Sequence, residues 1–550
     1  MLANSRRKFL TWSGLALAGL ILVSLAANDS RSRSAREVRP LAAGKIVIVQ
    51  ARDLPSAAAA VRAAGGKLVH ELGIINAVGA ELTPAQLERL RAFPGVTRIY
   101  ENRSVEVASE TLDTVYPTMV GADLLHARGI DGFGVTVAVL DTGFEEIEDN
   151  FRALAQYDVI RARQEPGYYK PLDDYTYDIH DRSGHGTHVS SLIVSTARTD
   201  SGKFNGVAPK ARLVSVKAFS QDGSGLYVDV IKGIDWIVTN KIRFNIRVLN
   251  LSFSAPARSH YWDDPLNQAV MRAWAAGIVV VASAGNRGPN AMTIGAPGNV
   301  PYVITVGAGT DNYTPNNRLD DRVASFSSAG PTVEGFVKPE VIAPGGHILG
   351  MIEEDARLAR EHPSFRRGDD YFTMSGTSQA AGVVSGVVAL MLQAQPALTP
   401  DDVKCRLTAS ARPSVKPDGT LAYSVFQQGA GLVNAYDAVF GSAGGCANRG
   451  LDVARDLAGL AHYGGPADRD AAGVYYVRNM TGYQWNGAYS RSGGYPWSDG
   501  YPWSDGYPWS DGYPWSDGYP WSDGYPWSDA YPWSDGFGAT MSINTWVPQE

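Results

Sequence analysis

The chain has 550 residues, of which 44% are hydrophobic, so it is long enough to bury a large core and to form several domains. Its formal net charge is -7, and the seven aspartates of a repeat array near the C-terminus account for all of it. The remainder of the chain has no excess of basic residues. This balance excludes a general electrostatic attraction to nucleic acid, and we predict no nucleic-acid partner.

The first 27 residues have the features of an export signal. Arg6 and Arg7 precede an apolar stretch that continues to Ala27, and small residues at Ser24 and Ala26 suit a signal peptidase. A plain Sec signal or an uncleaved anchor would share that stretch, but the full motif SRRKFL resembles a bacterial twin-arginine signal. We therefore expect an exported protein, extracellular or attached to the cell surface, with a polar spacer at residues 28–44.

Residues 45–112 have the pattern of a small α+β domain. The predicted elements are strands at 45–49, 67–72, 75–82 and 96–107, with helices at 55–65 and from Pro84 to about Pro94. Thr83 and Gln86 are spaced as a capping box at the start of the second helix. The order βαββαβ is that of a ferredoxin-like unit.

Residues 113–443 alternate apolar strands with helical segments. Strands are predicted at 134–141, 212–219, 247–253, 278–283 and 302–308, with helices between several of them. The strands are apolar nearly throughout, which is typical of a parallel sheet covered on both faces. The fold class is therefore α/β, a doubly wound and mostly parallel sheet, and ligand sites in such sheets lie at the carboxyl ends of the strands.

Short motifs place reactive side chains at strand ends and helix starts in this region. Asp141 follows a buried strand, His185 begins an apolar helix in GHGTHV, and Ser378 begins another in SGTSQA. An acid, a histidine and a hydroxyl are the groups that nucleophilic acyl transfer requires. Asn286, just after the strand at 278–283, and the backbone amide of Ser378 can donate hydrogen bonds to an oxyanion.

Each of these residues also has a common structural role. Asp141 and Asn286 suit turns, and Ser378 suits a helix cap. His185 and His188 suit a metal pair, although the sequence shows no third ligand. The four residues together favour catalysis over four separate structural roles.

The order Asp141, His185, Asn286, Ser378 resembles that of the subtilisin family of serine proteases. The resemblance covers about 116–438 and includes the motifs GVAP (206–209), NLS (250–252), PEVIAPG (339–345) and GAGLVNA (429–435). It implies a subtilisin-like serine endopeptidase in which Ser378 is the nucleophile, His185 the general acid and base, and Asp141 its orienting carboxylate. Asn286 and the Ser378 amide would form the oxyanion hole. No cofactor is implied for the chemistry, and a structural calcium ion is compatible with the family but has no assignable site.

The resemblance has further implications for partners and specificity. Residues 45–112 would be a propeptide that assists folding and blocks the cleft of a zymogen, and the substrates would be proteins or peptides. The residues implied in substrate binding are Ser252, Phe253, Ser254, Ala284 and Gly285. Phe253 and Ser254 replace smaller residues common in the family, which predicts a narrower primary pocket.

The C-terminal part is the hardest to interpret. Cys405 and Cys446 either pair in the oxidising exterior or remain free thiols.

Residues 444–494 are a linker or a small appendage, 495–535 are seven copies of YPWSD separated by Gly or Ala, and 536–550 end the chain. Three interpretations of the array are open: a solvated stalk, a regular turn solenoid, or an aromatic surface that binds cell-surface polysaccharide or another copy of itself. Its tryptophans and tyrosines favour the binding surface, because spacers are usually poor in aromatic residues. The alternative function is a surface adhesion or scaffold protein with an inactive protease domain.

Overall fold

The computed structural model describes residues 45–102, 114–147, 153–165, 179–315, 317–489, 519–520, 540–542 and 546–547. The predicted signal (1–27), the spacer (28–44) and nearly all of the array lie outside the described residues. The chain divides into two units, Met1–Ser109 and Glu110–Glu550.

The described part of the first unit has the predicted element order. Its elements are β1 (Lys45–Ala51), α1 (Leu54–Ala63), β2 (Lys67–Leu72), β3 (Ala77–Leu82), α2 (Pro84–Arg91) and β4 (Val96–Glu101). The antiparallel sheet has the order β2-β3-β1-β4, which is the ferredoxin-like arrangement. Thr83 and Gln86 form the predicted capping box. Strand β3 begins two residues later than predicted because a 3-10 turn, Gly73–Ile75, precedes it.

The second unit contains the larger sheet and most of the helices. Its strands are β5 (Thr136–Asp141), β6 (Ala153–Asp158), β7 (Arg212–Lys217), β8 (Ser224–Leu226), β9 (Ile246–Leu251), β10 (Val279–Ser283), β11 (Ile304–Thr310), β12 (Arg322–Val323), β13 (Val341–Pro344), β14 (Ile348–Met351), β15 (Arg366–Arg367), β16 (Tyr371–Met374), β17 (Tyr463–Gly464), β18 (Ala467–Arg469), β19 (Tyr475–Val477), β20 (Tyr519–Pro520) and β21 (Thr540–Ser542). Its helices are α3 (Tyr116–Met119), α4 (Ala122–His126), α5 (Val159–Gln164), α6 (His185–Val194), α7 (Tyr227–Phe244), α8 (Pro265–Ala275), α9 (Arg357–Glu361), α10 (Thr377–Ala394), α11 (Pro400–Ser410), α12 (Val425–Gln428), α13 (Ala435–Phe440) and α14 (Val453–Leu457).

The main sheet has the order β12-β11-β10-β9-β5-β7-β6, with β13 also paired to β11. All of these pairings are parallel except that of β12. Every residue of β5 and of β10 is buried, so both faces of the sheet are covered. The predicted fold class, a doubly wound and mostly parallel α/β sheet, is confirmed.

Neighbouring residues of β5 show that helices cover the two faces. A β-carbon built on Gly233 of α7 would lie 2.7 Å from Leu140 Cδ1, whereas one built on Gly186 of α6 would lie 3.2 Å from Asp141 Cβ. Successive strand residues point to opposite faces, so α7 and α6 pack on opposite sides of the sheet.

Within the described ranges, α10 has the length and apolar composition of a membrane span, and most of it is buried inside the fold.

Residues 444–489, for which the sequence left a linker or an appendage open, pack into the core of the second unit. A disulfide joins Cys405 of α11 to Cys446, which resolves the question of their pairing. The buried carboxylate of Asp456 accepts hydrogen bonds from the hydroxyls of Tyr261 at 2.6 Å and Tyr302 at 2.9 Å. Because these contacts join distant parts of the chain, the segment is integral to the folded unit.

Two short strands in the C-terminal part of the chain pair with earlier strands of the second unit. Strand β20, inside the array, pairs antiparallel with β17. Strand β21, beyond the array, pairs antiparallel with β8. One point inside the array and one point beyond it therefore pair with earlier strands of the same unit.

Candidate active site

A buried acid–histidine pair joins the end of β5 to the start of α6. Nδ1 of His185 lies 2.7 Å from Oδ1 of Asp141, and the two side chains are 0% and 1% exposed. The same Oδ1 accepts the backbone amide of Thr142 at 2.7 Å. A β-carbon on Gly186 would lie 2.3 Å from the carbonyl oxygen of Gly143, so the close approach of α6 to β5 requires glycine at position 186.

The free nitrogen of the histidine and the serine hydroxyl have different environments. Nε2 of His185 is buried and has no hydrogen-bond partner among the described residues. Oγ of Ser378, the second residue of α10, donates to the carbonyl oxygen of Ser252 at 3.0 Å. Oγ of Ser252 in turn donates to the carbonyl oxygen of Ser378 at 2.9 Å. Ser378 is thus held against the residue that follows β9, and its hydroxyl is directed at that carbonyl.

Asn286 lies beside the start of α10 with one amide hydrogen-bond donor unused. Its Oδ1 accepts the backbone amide of Thr377 at 3.0 Å and the Thr377 hydroxyl at 2.8 Å. Its Nδ2 is buried without a partner among the described residues, and a β-carbon on Gly376 would lie 3.3 Å from that nitrogen. The amide of Ser378 is in the first turn of α10, where backbone N–H groups have no intrahelical acceptor. Two donors are therefore available near the serine.

Sequence reasoning missed Asp181, which caps the helix that carries His185. Its Oδ1 accepts the amide of Gly184 at 2.9 Å, and its Oδ2 accepts both the amide and the hydroxyl of Thr187 at 2.8 Å. The N-cap residue of α6 is Gly184, which has no side chain to satisfy the first-turn amides. An acidic residue shortly before an apolar helix that is preceded by glycine was the available signal.

His188 is not part of the acid–histidine pair. Its Nε2 lies 3.0 Å from the carbonyl oxygen of Phe372, and burial lowers the pKa of the imidazole to about 3. It is therefore neutral and packs locally at ordinary pH. Among the residues that the structure describes, no group of three or more His, Cys, Asp or Glu side chains is placed to hold a metal ion.

Three of the predicted substrate-binding residues lie close to Asn286 and Ser378. Ser252 contacts Ser378 directly, and the amide of Gly285 donates to the Thr377 hydroxyl at 3.2 Å. Oγ of Ser254 would lie 2.8 Å from a β-carbon built on Gly285 and 2.1 Å from one built on Gly295. The Ser254 side chain thus occupies the space between these two glycines.

The other two predicted substrate-binding residues are buried. The ring of Phe253 is fully buried, with its centroid 5.0 Å from that of Phe219. Ala284 is also fully buried, and its amide donates to the carbonyl oxygen of Val306 at 2.9 Å. Any effect of the Phe253 side chain on a bound peptide would act through packing.

The doubly wound sheet thus carries a buried Asp–His pair, a serine at a helix start and an asparagine Nδ2 with no partner among the described residues, which are the groups that a serine hydrolase requires. The sequence profile of the subtilase family matches residues 132–431, which is more than half of the chain. The chain belongs to the subtilase family, and it is a subtilisin-like serine endopeptidase.

Sequence similarity to individual proteins extends beyond the region that the family profile matches. Serine protease AprX of Bacillus subtilis (strain 168) is 38% identical over 387 residues, which cover 68% of this chain and 81% of that protein. Subtilisin E of the same strain is 30% identical over 372 residues, which cover 67% and 82%. Fervidolysin from Fervidobacterium pennivorans, described as a keratinolytic enzyme related to subtilisin, aligns with a TM-score of 0.47 and 24% identity, covering 74% of this chain and 62% of that one.

Proposed function

We propose that this endopeptidase is exported from a bacterial cell as an inactive precursor and cleaves peptide bonds through Ser378, His185, Asp141 and Asn286. The observation that carries the proposal is the buried Asp141–His185 pair, whose Nε2 is unpartnered. His185 lies at the start of α6, which packs against α10, and α10 presents Ser378 in its first turn.

The acylation step uses the three side chains in turn. Rotation of the Ser378 side chain from the Ser252 carbonyl directs its Oγ at Nε2 of His185. The imidazole takes the hydroxyl proton while Oγ attacks the substrate carbonyl carbon, and Asp141 stabilises the imidazolium through Nδ1–H. The imidazolium then gives its proton to the leaving amine, and water repeats the sequence on the acyl-enzyme.

The negative charge on the attacked carbonyl oxygen is stabilised by Nδ2 of Asn286 and the amide of Ser378. Nδ2 of Asn286 has no other partner among the described residues and the Ser378 amide is in the first turn of α10, which supports their use as donors when the charge develops. Subtilases need no cofactor for this chemistry.

The first unit serves as the propeptide in this proposal. It has its own sheet and its own hydrophobic core, which includes Val49, Val61 and Leu90. An independently packed unit that precedes the protease in the chain is suited to assist its folding and to be removed afterwards. The expected cleavage is near residues 107–118, and the free unit would remain an inhibitor of the cleft until it is degraded.

Export and attachment rest on the sequence of the terminal parts. The twin-arginine motif supports export of a folded protein, and the aromatic array supports binding to cell-surface polysaccharide. An array peptide that stays dispersed and does not bind polysaccharide would favour the stalk instead.

One experiment tests the central proposal. The full chain and its Ser378→Ala variant are purified, and intact mass and casein hydrolysis are measured, with Ser201→Ala in an exposed loop as the control. We expect self-cleavage near residues 107–118 and casein hydrolysis in the wild type and the control, and neither in Ser378→Ala. If wild type and Ser378→Ala both stay full length and neither hydrolyses casein, the proposal fails and the scaffold alternative is favoured.

A further inference from the structure

Phe219 and β8 (Ser224–Leu226) form a hairpin near the candidate active site, and β21, the strand that follows the array, covers one edge of it. In the β21–β8 pair, Thr540 lies opposite Leu226, Met541 opposite Gly225 and Ser542 opposite Ser224. Gly225 also forms an antiparallel bridge with Phe219 on its other side. Strand β8 therefore has an inner edge that closes the hairpin and an outer edge that the C-terminal strand occupies.

This hairpin is directly connected to the candidate catalytic residues. The amide of Ala218, at its base, donates to the carbonyl oxygen of Asp141 at 2.9 Å. The Phe219 ring packs on Phe253, the residue after Ser252. An extended peptide binds an exposed strand edge through its main chain. The outer edge of β8 is thus placed to pair with a peptide substrate, and β21 lies on it in the extended conformation that such a substrate would adopt.

A second contact holds the chain end on the His185 side. The Trp546 ring stacks on His362 with centroids 3.6 Å apart and also packs on Phe365 and Phe372. The apolar cluster beneath it includes Ile352, whose Cδ1 would lie 2.1 Å from a β-carbon on Gly184, the residue before His185. Three residues separate Ser542 from Trp546, a connection of at most about 14 Å. The C-terminal segment is therefore held at two points: β21 pairs with β8, and Trp546 packs on the apolar cluster that contacts Gly184.

We propose that strand β21, held in addition by the Trp546 contact, is an intramolecular competitor that occupies the peptide-binding edge of the protease. The inference rests on the proposed peptidase function, and it adds a regulator of the same site. Because the segment is tethered, its effective concentration is of the order of millimolar, so even a weak contact would compete with substrate. A competitor of this kind raises KM and leaves kcat unchanged, since saturating substrate displaces it.

The test uses the full chain with Met541→Pro and Trp546→Ala combined. Proline removes a backbone donor from β21, and alanine removes the stacked ring at the second contact. Intact mass confirms that the C-terminus is present in every sample. With a short chromogenic peptide substrate, we expect KM to fall about 3-fold or more and kcat to stay unchanged. Trp503→Ala, which changes a tryptophan of the array, is the matched control and should keep the wild-type KM.

A synthetic peptide of residues 536–550 provides the second arm. Added to the double variant, it should restore a high apparent KM competitively, whereas a scrambled peptide should not. Equal KM values in wild type and double variant, with no inhibition by the peptide, would overturn the inference and leave the peptidase function standing. If no form hydrolyses the substrate, the peptidase function fails and the inference falls with it.

Discussion

Asp181 acts on the candidate site at the scale of a single residue, through the helix that carries His185. Its carboxylate accepts hydrogen bonds from three donors at the start of α6, the amides of Gly184 and Thr187 and the Thr187 hydroxyl. We expect Asp181→Ala to lower kcat at least about tenfold with a smaller change in KM, because a shift of the helix start misplaces the imidazole. Loss of the cap should also lower the free energy of unfolding by about 1 kcal/mol.

Asp158→Ala is the matched control for this prediction. Asp158 caps α5 by accepting the amide of Arg161 at 2.9 Å, so its loss should cost similar stability and leave kcat unchanged. Steady-state kinetics and denaturant unfolding are measured on both variants. Equal losses of kcat in the two would show that Asp181 has no positioning role.

A second prediction at this scale concerns Ser254. Its side chain fills the space between Gly285 and Gly295, next to Asn286. Ser254→Gly should enlarge this space and raise kcat/KM for peptides with a large aromatic residue before the cut, relative to alanine, by about tenfold. A matched pair of Ala and Phe peptide substrates measures the ratio, with Ser201→Gly as control. An unchanged ratio would place the primary pocket elsewhere.

At the scale of elements, the disulfide ties α11 to the segment that follows the protease region. Cys405 and Cys446 are 41 residues apart, so their bond should contribute about 3–4 kcal/mol by restricting the unfolded chain. We expect the Cys405→Ala/Cys446→Ala variant to unfold at lower denaturant concentration than the oxidised wild type. Reductant should lower the wild-type midpoint to a similar value and leave that of the variant unchanged. A wild-type midpoint insensitive to reductant would contradict the prediction.

The elements also show which features local sequence patterns can predict. The buried strands β5, β7, β9, β10 and β11 were predicted because their apolar runs need only local information, and the motifs at their ends identified the candidate site residues. The packing of residues 444–489 was not predicted because it depends on pairs such as Tyr261 and Asp456, which are 195 residues apart. The β21–β8 pairing likewise joins a strand inside the protease region to a strand beyond the array. The three residues of β21 (Thr540–Ser542) are too few to show a pattern that would predict a strand or its pairing with β8.

At the scale of the whole molecule, two sets of buried groups oppose each other in their effect on stability at alkaline pH. Lys338 and Lys404 both contact Oε1 of Glu340, at 2.6 Å and 2.9 Å, in the protein interior. Burial lowers the pKa of Lys338 from 10.5 to about 7. Burial also raises the pKa values of Tyr261 and Tyr302 above 10, with the nearby Asp456 carboxylate adding to the shift.

These shifts predict a maximum of stability near pH 10. Between pH 7 and about 10.5 the unfolded chain holds a proton on Lys338 that the folded chain has released, so the free energy of unfolding rises with pH. Above pH 10 the unfolded chain loses tyrosine protons that the folded chain keeps, so the free energy of unfolding falls again. Denaturant midpoints at pH 7, 8, 9, 10 and 11, measured in Ser378→Ala to prevent self-digestion, should follow this curve.

Lys338→Met in the Ser378→Ala background separates the effect of the lysine on stability from the effect of the two tyrosines. The substitution leaves Lys404 and Glu340 as a balanced ion pair and removes the group that titrates near pH 7. The rise in midpoint between pH 7 and 10 should therefore flatten, while the fall above pH 10 stays. A variant that keeps the full rise would show that another group releases the proton. A midpoint of the Ser378→Ala protein that falls steadily from pH 7 would contradict the lowered pKa of Lys338.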